Sequence, residues 1–102
     1  MPDDGAKTEC RTPATGKLGT TRIPTWKYEL LRRHILDLVR ENAIEGLAFK
    51  DLAPLVAERL TDQEKSELGS VGWHTTTVKL EMEVAGDIKR MESASLQRLV
   101  LN

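Results

Sequence analysis

A glycine at position 86 separates a helix-like stretch from two strand-like stretches, and this junction constrains the fold most. Residues 73–85 have the pattern of a substantial helix, and Ile88–Met91 and residues 96–101 have the pattern of short strands. Glycine tolerates the left-handed conformation that commonly ends a helix. A two-stranded hairpin is marginally stable alone in water, so we expect it to pack on the helices that precede it.

Further helices are predicted upstream of this junction. Residues 24–43 carry one apolar stripe between charged residues. The stripe consists of Tyr28, Leu31, Ile35 and Leu38. After a short extended piece at 47–49, a second helix should end near Leu60. Because Pro54 disfavours a helix interior, this helix begins near residue 50 or 51 or has a distorted first turn. Residues 61–64 match a capping box, which predicts a short helix before a loop at 69–72.

The order of these elements predicts a mainly α fold with a small β-hairpin. This order is typical of a winged helix-turn-helix domain, with three main helices and a C-terminal two-stranded wing. Residues 1–20 contain prolines, glycines and threonines but almost no apolar side chains. Such a segment cannot bury enough surface to offset its ordering entropy, so we expect a flexible N-terminal tail. The winged-helix domain then covers residues 21–102, which fits one small domain.

The junction around Gly86 resembles the recognition-helix-to-wing junction of bacterial winged-helix regulators. The residues that carry this resemblance are Met82, Glu83, Gly86 and Ile88. More broadly, residues 17–98 resemble a family of small uncharacterised bacterial winged-helix proteins. The shared features are Lys27-Tyr28-Glu29, Gly72-Trp73 before Thr77-Val78-Lys79-Leu80, and Gln97-Arg98. The resemblance implies the fold and a bacterial source, and it implies no established activity.

By analogy with helix-turn-helix proteins, the leading functional expectation is double-stranded DNA binding by a transcriptional regulator. The third main helix, residues 73–85, would present base-reading side chains near its N-terminus. The predicted DNA contacts there are His74, Thr75, Thr76 and Lys79. Basic residues of the tail and wing would contact phosphates. These are Lys17, Arg22, Lys89 and Arg90.

The charges of the third main helix and of the whole chain do not all favour DNA binding. Glu81 and Glu83 would repel phosphate, so a merely solvated helix face is an equal alternative. The chain as a whole has a net charge of −1, which gives no strong field for nucleic acid. Residues 11–33 are mostly basic and residues 34–70 mostly acidic. These two segments could attract each other, within one chain or between two, as well as contact DNA.

The alternative function is a protein–protein interaction module. Besides the side that faces the core, the third main helix has a second apolar stripe, formed by Trp73, Leu80 and Val84. Three interpretations remain open for this stripe. The wing or the N-terminal arm could cover it, it could form the seam of a homodimer, or it could dock a protein partner. The second hypothesis predicts that Trp73 is exposed in an isolated monomer.

Catalytic and metal-binding motifs are not found in the sequence, so we expect neither an enzyme nor a cofactor. The single cysteine, Cys10, excludes an internal disulfide. His34 and His74 lie far apart in sequence without a second cysteine, which gives no zinc pattern. Residues 16–20 fail the phosphate-loop pattern, because Leu18 stands where serine or threonine should bind magnesium. With no signal peptide and no membrane-length apolar run, the expected compartment is the cytoplasm.

Overall fold

Helices and short antiparallel strands make up the fold. The computed structural model describes residues 5–12, 19–91 and 98–102. In chain order the elements are β1 (Lys7–Thr12), β2 (Gly19–Pro24), α1 (Thr25–Glu41), β3 (Leu47–Ala48), α2 (Phe49–Arg59), α3 (Asp62–Leu68), α4 (Val71–Ala85), β4 (Ile88–Met91) and β5 (Arg98–Leu101). The prediction of a mainly helical fold with a small hairpin is thus confirmed at this level.

The core lies between α1, α2 and α4, with the C-terminal sheet closing one side. The stripe predicted on α1 points inward, and its buried members are Leu31, Ile35, Leu38 and Val39. Leu52 and Val56 of α2 meet Val78 and Met82 of α4 in the same cluster, each fully buried. The apolar spacing of each helix therefore identified the side that packs inward.

The C-terminal strands form a three-stranded antiparallel sheet in the order β3-β5-β4. The short piece β3 pairs with β5 through Leu47 opposite Leu99, and Ile88 of β4 lies opposite Leu101. Leu99, in the central strand, is fully buried. The hairpin thus packs on the helices as expected. The turn predicted at 92–95 and the start of the last strand at 96–97 lie outside the described residues.

Gly86 ends α4 as predicted. It has a φ of 87° in the left-handed region, and its N–H donates to the carbonyls of Met82 and Glu83. The next N–H, from Asp87, also donates to the Met82 carbonyl, at 2.9 Å. This arrangement satisfies carbonyls at the helix end and turns the chain into β4.

The N-terminal segment differs from the flexible tail expected for residues 1–20. Residues 7–12 form β1, which pairs antiparallel with β2, and Cys10 opposite Thr21 is 2% exposed. The hairpin packs against α4 and α1, and Ile23 joins the core. Only alternate side chains need to be apolar on a one-sided hairpin, so two buried residues and several threonines suffice. Residues 1–4 and 13–18 lie outside the described part of the chain.

Two helix starts also differ from the prediction. The helix α2 begins at Phe49, directly after β3, and Pro54 lies inside it on an exposed position. The helix α4 begins at Val71, because the Ser70 hydroxyl accepts a hydrogen bond from the N–H of Trp73 and caps the first turn. The capping box of α3 is present as predicted, with Thr61 and Glu64 bonded reciprocally.

Candidate functional site

The candidate site is the side of α4 that faces away from the core. We define the outer face of α4 as Trp73, Thr76, Thr77, Leu80 and Val84, which fall within an arc of about 100°. Trp73 is 49% exposed and the other four are half-buried. The Thr77 hydroxyl donates to the Trp73 carbonyl at 2.8 Å, so its polar group is bonded within the helix. The outer face therefore carries no charged side chain.

Two of the predicted DNA contacts lie in the interior instead. Thr75 and Lys79 are each 1% exposed, and Lys79 contacts Phe49 of α2. Position 79 looked exposed because lysines usually are. The expected exposure of these two side chains is therefore wrong, because both are buried in this arrangement.

Lys79 is held by partners that sequence spacing only partly reveals. Its Nζ lies 3.2 Å from Oε2 of Glu83, one helical turn on, and 4.2 Å from the ring centroid of Phe49. Burial lowers the pKa of Lys79, and the nearby Glu83 carboxylate opposes that shift. The i,i+4 pair was visible in the sequence, whereas the aromatic partner comes from α2, thirty residues upstream.

The acidic side chains of α4 are both neutralised by cations. Glu81 accepts from Arg11 Nε at 2.9 Å, from its Nη2 at 2.6 Å and from its backbone N–H at 2.8 Å. These bonds hold the pKa of Glu81 below its ordinary value. Glu83 accepts from Arg90 Nε at 2.9 Å as well as facing Lys79. Sequence analysis missed Arg11 as a partner, because seventy residues separate it from Glu81.

The remaining predicted contacts that the structure describes are divided among three elements, β2, α4 and β4. Arg22 is exposed on β2 and Lys89 is exposed on β4, whereas Arg90, also exposed, is bonded to Glu83. His74 and Thr76 are half-buried near the start of α4, and His74 Nδ1 lies 2.7 Å from the Ser70 carbonyl. Lys17 lies outside the described residues. The predicted cations among the described residues thus lie on β2 and β4, and Arg90 is paired with a carboxylate of α4.

The second apolar stripe of α4 is partly buried: Leu80 and Val84 are half-buried, whereas Trp73 is more exposed. Strand β1 packs along the Glu81 side of α4, through Arg11. Trp73, near the start of α4, is 49% exposed. Strand β1 thus packs beside this stripe, and among the described residues the outer face is partly accessible, most of all at Trp73.

The described residues offer little for metal or thiol chemistry. They contain no group of three or more histidine, cysteine or acidic side chains that could hold a metal ion. They also contain no helix with the length and apolar character needed to cross a membrane. Burial, with a contribution from Glu81, raises the pKa of the Cys10 thiol to about 11. The thiol is therefore protonated at neutral pH and a poor nucleophile.

Comparison with known proteins identifies a family whose function is unknown. Neither a curated protein nor a solved structure matches the chain. One family model does match, over residues 7–99, and it is described as a family of unknown function (DUF6958). The match extends from the first residue of β1 into β5, which includes the hairpin that sequence analysis took for a tail. Because the match covers nearly the whole sequence, the chain belongs to this family of unknown function.

Proposed function

We propose that this chain is a protein-interaction module of winged-helix architecture, which binds an apolar segment of another protein chain on the outer face of α4. It acts by binding and not by catalysis. The observation that carries the proposal is Trp73, which is 49% exposed within a face that bears no charge. Tryptophan is the residue type most enriched among the side chains that dominate binding energy in protein interfaces.

The architecture supports this proposal by presenting α4 at the surface. The order α1-β3-α2-α3-α4 followed by two strands is compatible with a winged helix, in which the last helix faces outward. Cations neutralise the two acidic side chains beside the outer face, so an apolar partner does not have to desolvate a free carboxylate there. The partner chemistry that fits is the apolar stripe of an amphipathic helix.

A photo-crosslinking amino acid at position 76, in cells of the native host, tests the proposal. Thr76 is half-buried on the outer face, and Lys50, exposed on α2, is the matched control position. We expect protein adducts from position 76 that are absent from position 50 and are lost when Leu80→Glu is added. Equal adducts from both positions, or nucleic-acid adducts only, would refute the proposal.

DNA binding is the second candidate, and one specific observation favours it. Arg22 and Lys89 are exposed cations on two different hairpins beside α4, where they could contact phosphates on either side of a duplex. In this alternative His74 and Thr76 would face the groove. Lys89→Glu should weaken binding to duplex DNA by about tenfold at low salt, and the control Lys50→Glu should not. Equal affinities for the two variants would remove this candidate.

A further inference from the structure

We infer that the occupant of the outer face is the α4 helix of a second copy of this chain, packed antiparallel across a two-fold axis. The inference rests on the proposed function, because it names the partner of that same face. Three observations carry it: the spacing of the apolar side chains, their sizes, and the charges at the two ends of α4.

The spacing is that of a helix-packing seam. Trp73, Thr77, Leu80 and Val84 follow one another at intervals of four, three and four residues. This is the alternation of the a and d positions of a heptad, which lines one side of a helix against another helix. At 1.5 Å per residue the seam is about 17 Å long. A straight, uncharged strip of this kind fits a helix better than it fits an irregular loop.

The sizes along the seam are complementary in the antiparallel orientation. A two-fold axis between Thr77 and Leu80 places Trp73 opposite Val84 of the second copy, and Thr77 opposite Leu80 of the second copy. Each larger side chain then meets a smaller one, and each pair occurs twice because the interface is isologous. A parallel arrangement would instead place Trp73 against Trp73 and Leu80 against Leu80.

The charges beyond the seam select the same orientation. Lys89 is exposed on β4, just past the C-terminal end of α4, and Glu67 is exposed on α3, just before its N-terminal end. Antiparallel packing brings Lys89 near Glu67 of the second copy at both ends of the seam. Parallel packing would bring like charges together, which is unfavourable. The charges therefore specify orientation more than they add affinity.

The expected dimer is weak. A seam about 17 Å long covers less surface than the roughly 1,200–2,000 Å² that stable interfaces bury. Association should therefore depend on concentration in the micromolar range or above, and a dilute sample should be monomeric with Trp73 exposed.

Sedimentation equilibrium of the full chain, from about 5 to about 500 µM, tests the inference. We expect reversible dimerisation that Leu80→Glu abolishes. Lys89→Glu and Glu67→Lys should each weaken it about fivefold, and the double variant should recover most of the loss. The matched controls are Lys50→Glu and Glu58→Lys, which change exposed charges on α2 and should leave dimerisation unchanged.

Two results would overturn the inference. One is a monomer at every concentration, and the other is a dimer that none of the seam or charge variants affects. If Leu80→Glu fails to fold, the pair of charge reversals still decides, since both residues are exposed. If the chain is a monomer and position 76 crosslinks to a different protein, the inference of a homodimer is overturned and the proposed function stands. If the chain is a monomer and position 76 forms no protein adducts, both the inference and the proposed function are overturned.

Discussion

Raising the pH above 9 should destabilise this chain through the buried thiol of Cys10. The side chain is 2% exposed, and burial with the neighbouring Glu81 carboxylate raises its pKa from 9.0 to about 11. In the unfolded chain the thiol loses its proton near pH 9.0, whereas in the folded chain it keeps the proton until about pH 11. Between these values the folded state binds more protons, so the free energy of unfolding falls as the pH rises.

The size of this effect follows from the shift. Each unit of difference in pKa corresponds to about 1.4 kcal/mol. The free energy of unfolding therefore falls by about 3 kcal/mol as the pH rises through the two pKa values. For a small domain with a stability of roughly 5–15 kcal/mol this is a large fraction. The contribution of the thiol to this pH dependence should be absent from Cys10→Ala, although that variant loses some packing energy at every pH.

Urea denaturation of the two proteins from about pH 8 to about pH 11, with a reductant present, measures the effect. The raised pKa of Tyr28 acts in the same direction as Cys10, and the lowered pKa of Lys79 acts in the opposite direction. Both groups are present in both proteins, so their contributions cancel in the difference between the two curves, apart from the smallest part of the Tyr28 shift, which comes from Cys10 itself. If the curves run parallel across this range, the thiol is not buried in the folded state and the docking of β1 on α4 is refuted.

Three further substitutions test other features of α4, each by urea denaturation. Thr75→Val should raise the free energy of unfolding by about 1 kcal/mol, because the buried hydroxyl has no hydrogen-bond partner among the described residues; a decrease would contradict this. Gly86→Ala should lower the free energy of unfolding by about 1 kcal/mol, because the φ of 87° at this position is strained for alanine. The control Gly72→Ala should not lower the free energy of unfolding, because Gly72 lies within the helix and an added Cβ there meets open space. Lys79→Met should stay within about 1 kcal/mol of the native chain at neutral pH, since Glu83 keeps a second cation. It should also lose the rise in stability that the lowered pKa of Lys79 produces as the pH approaches 10.5, and an unchanged rise would show that Lys79 is not its source.

Features set by local chemistry were predictable from the sequence. The stripe of α1, the capping box at Thr61 and the left-handed Gly86 each depend on residues within one or two turns of the chain. Local spacing also identified the second apolar stripe of α4. Its exposure was left open, because exposure depends on which other elements pack beside it.

Features set by distant partners were not predictable. Strand β1 contains one apolar residue, Cys10, so its alternation could not be told from that of a polar tail. Lys79 is buried because Phe49 and Glu83 surround it, and only the second of these is adjacent on the helix. Thr75 is likewise buried, and burial of a helix residue depends on which other elements pack against the helix. The expectation that Thr75 and Lys79 are exposed was wrong for this reason.

The bond between Arg11 and Glu81 spans seventy residues of chain, with consequences for how this protein is made. During synthesis β1 leaves the ribosome well before the helix that will hold it. Until α4 emerges, the nascent N-terminal hairpin lacks its main docking surface, and a two-stranded hairpin has little stability by itself. Strand β1 is therefore translated early but docks late in folding. Between these two events the Cys10 thiol is not yet buried and is open to chemical attack.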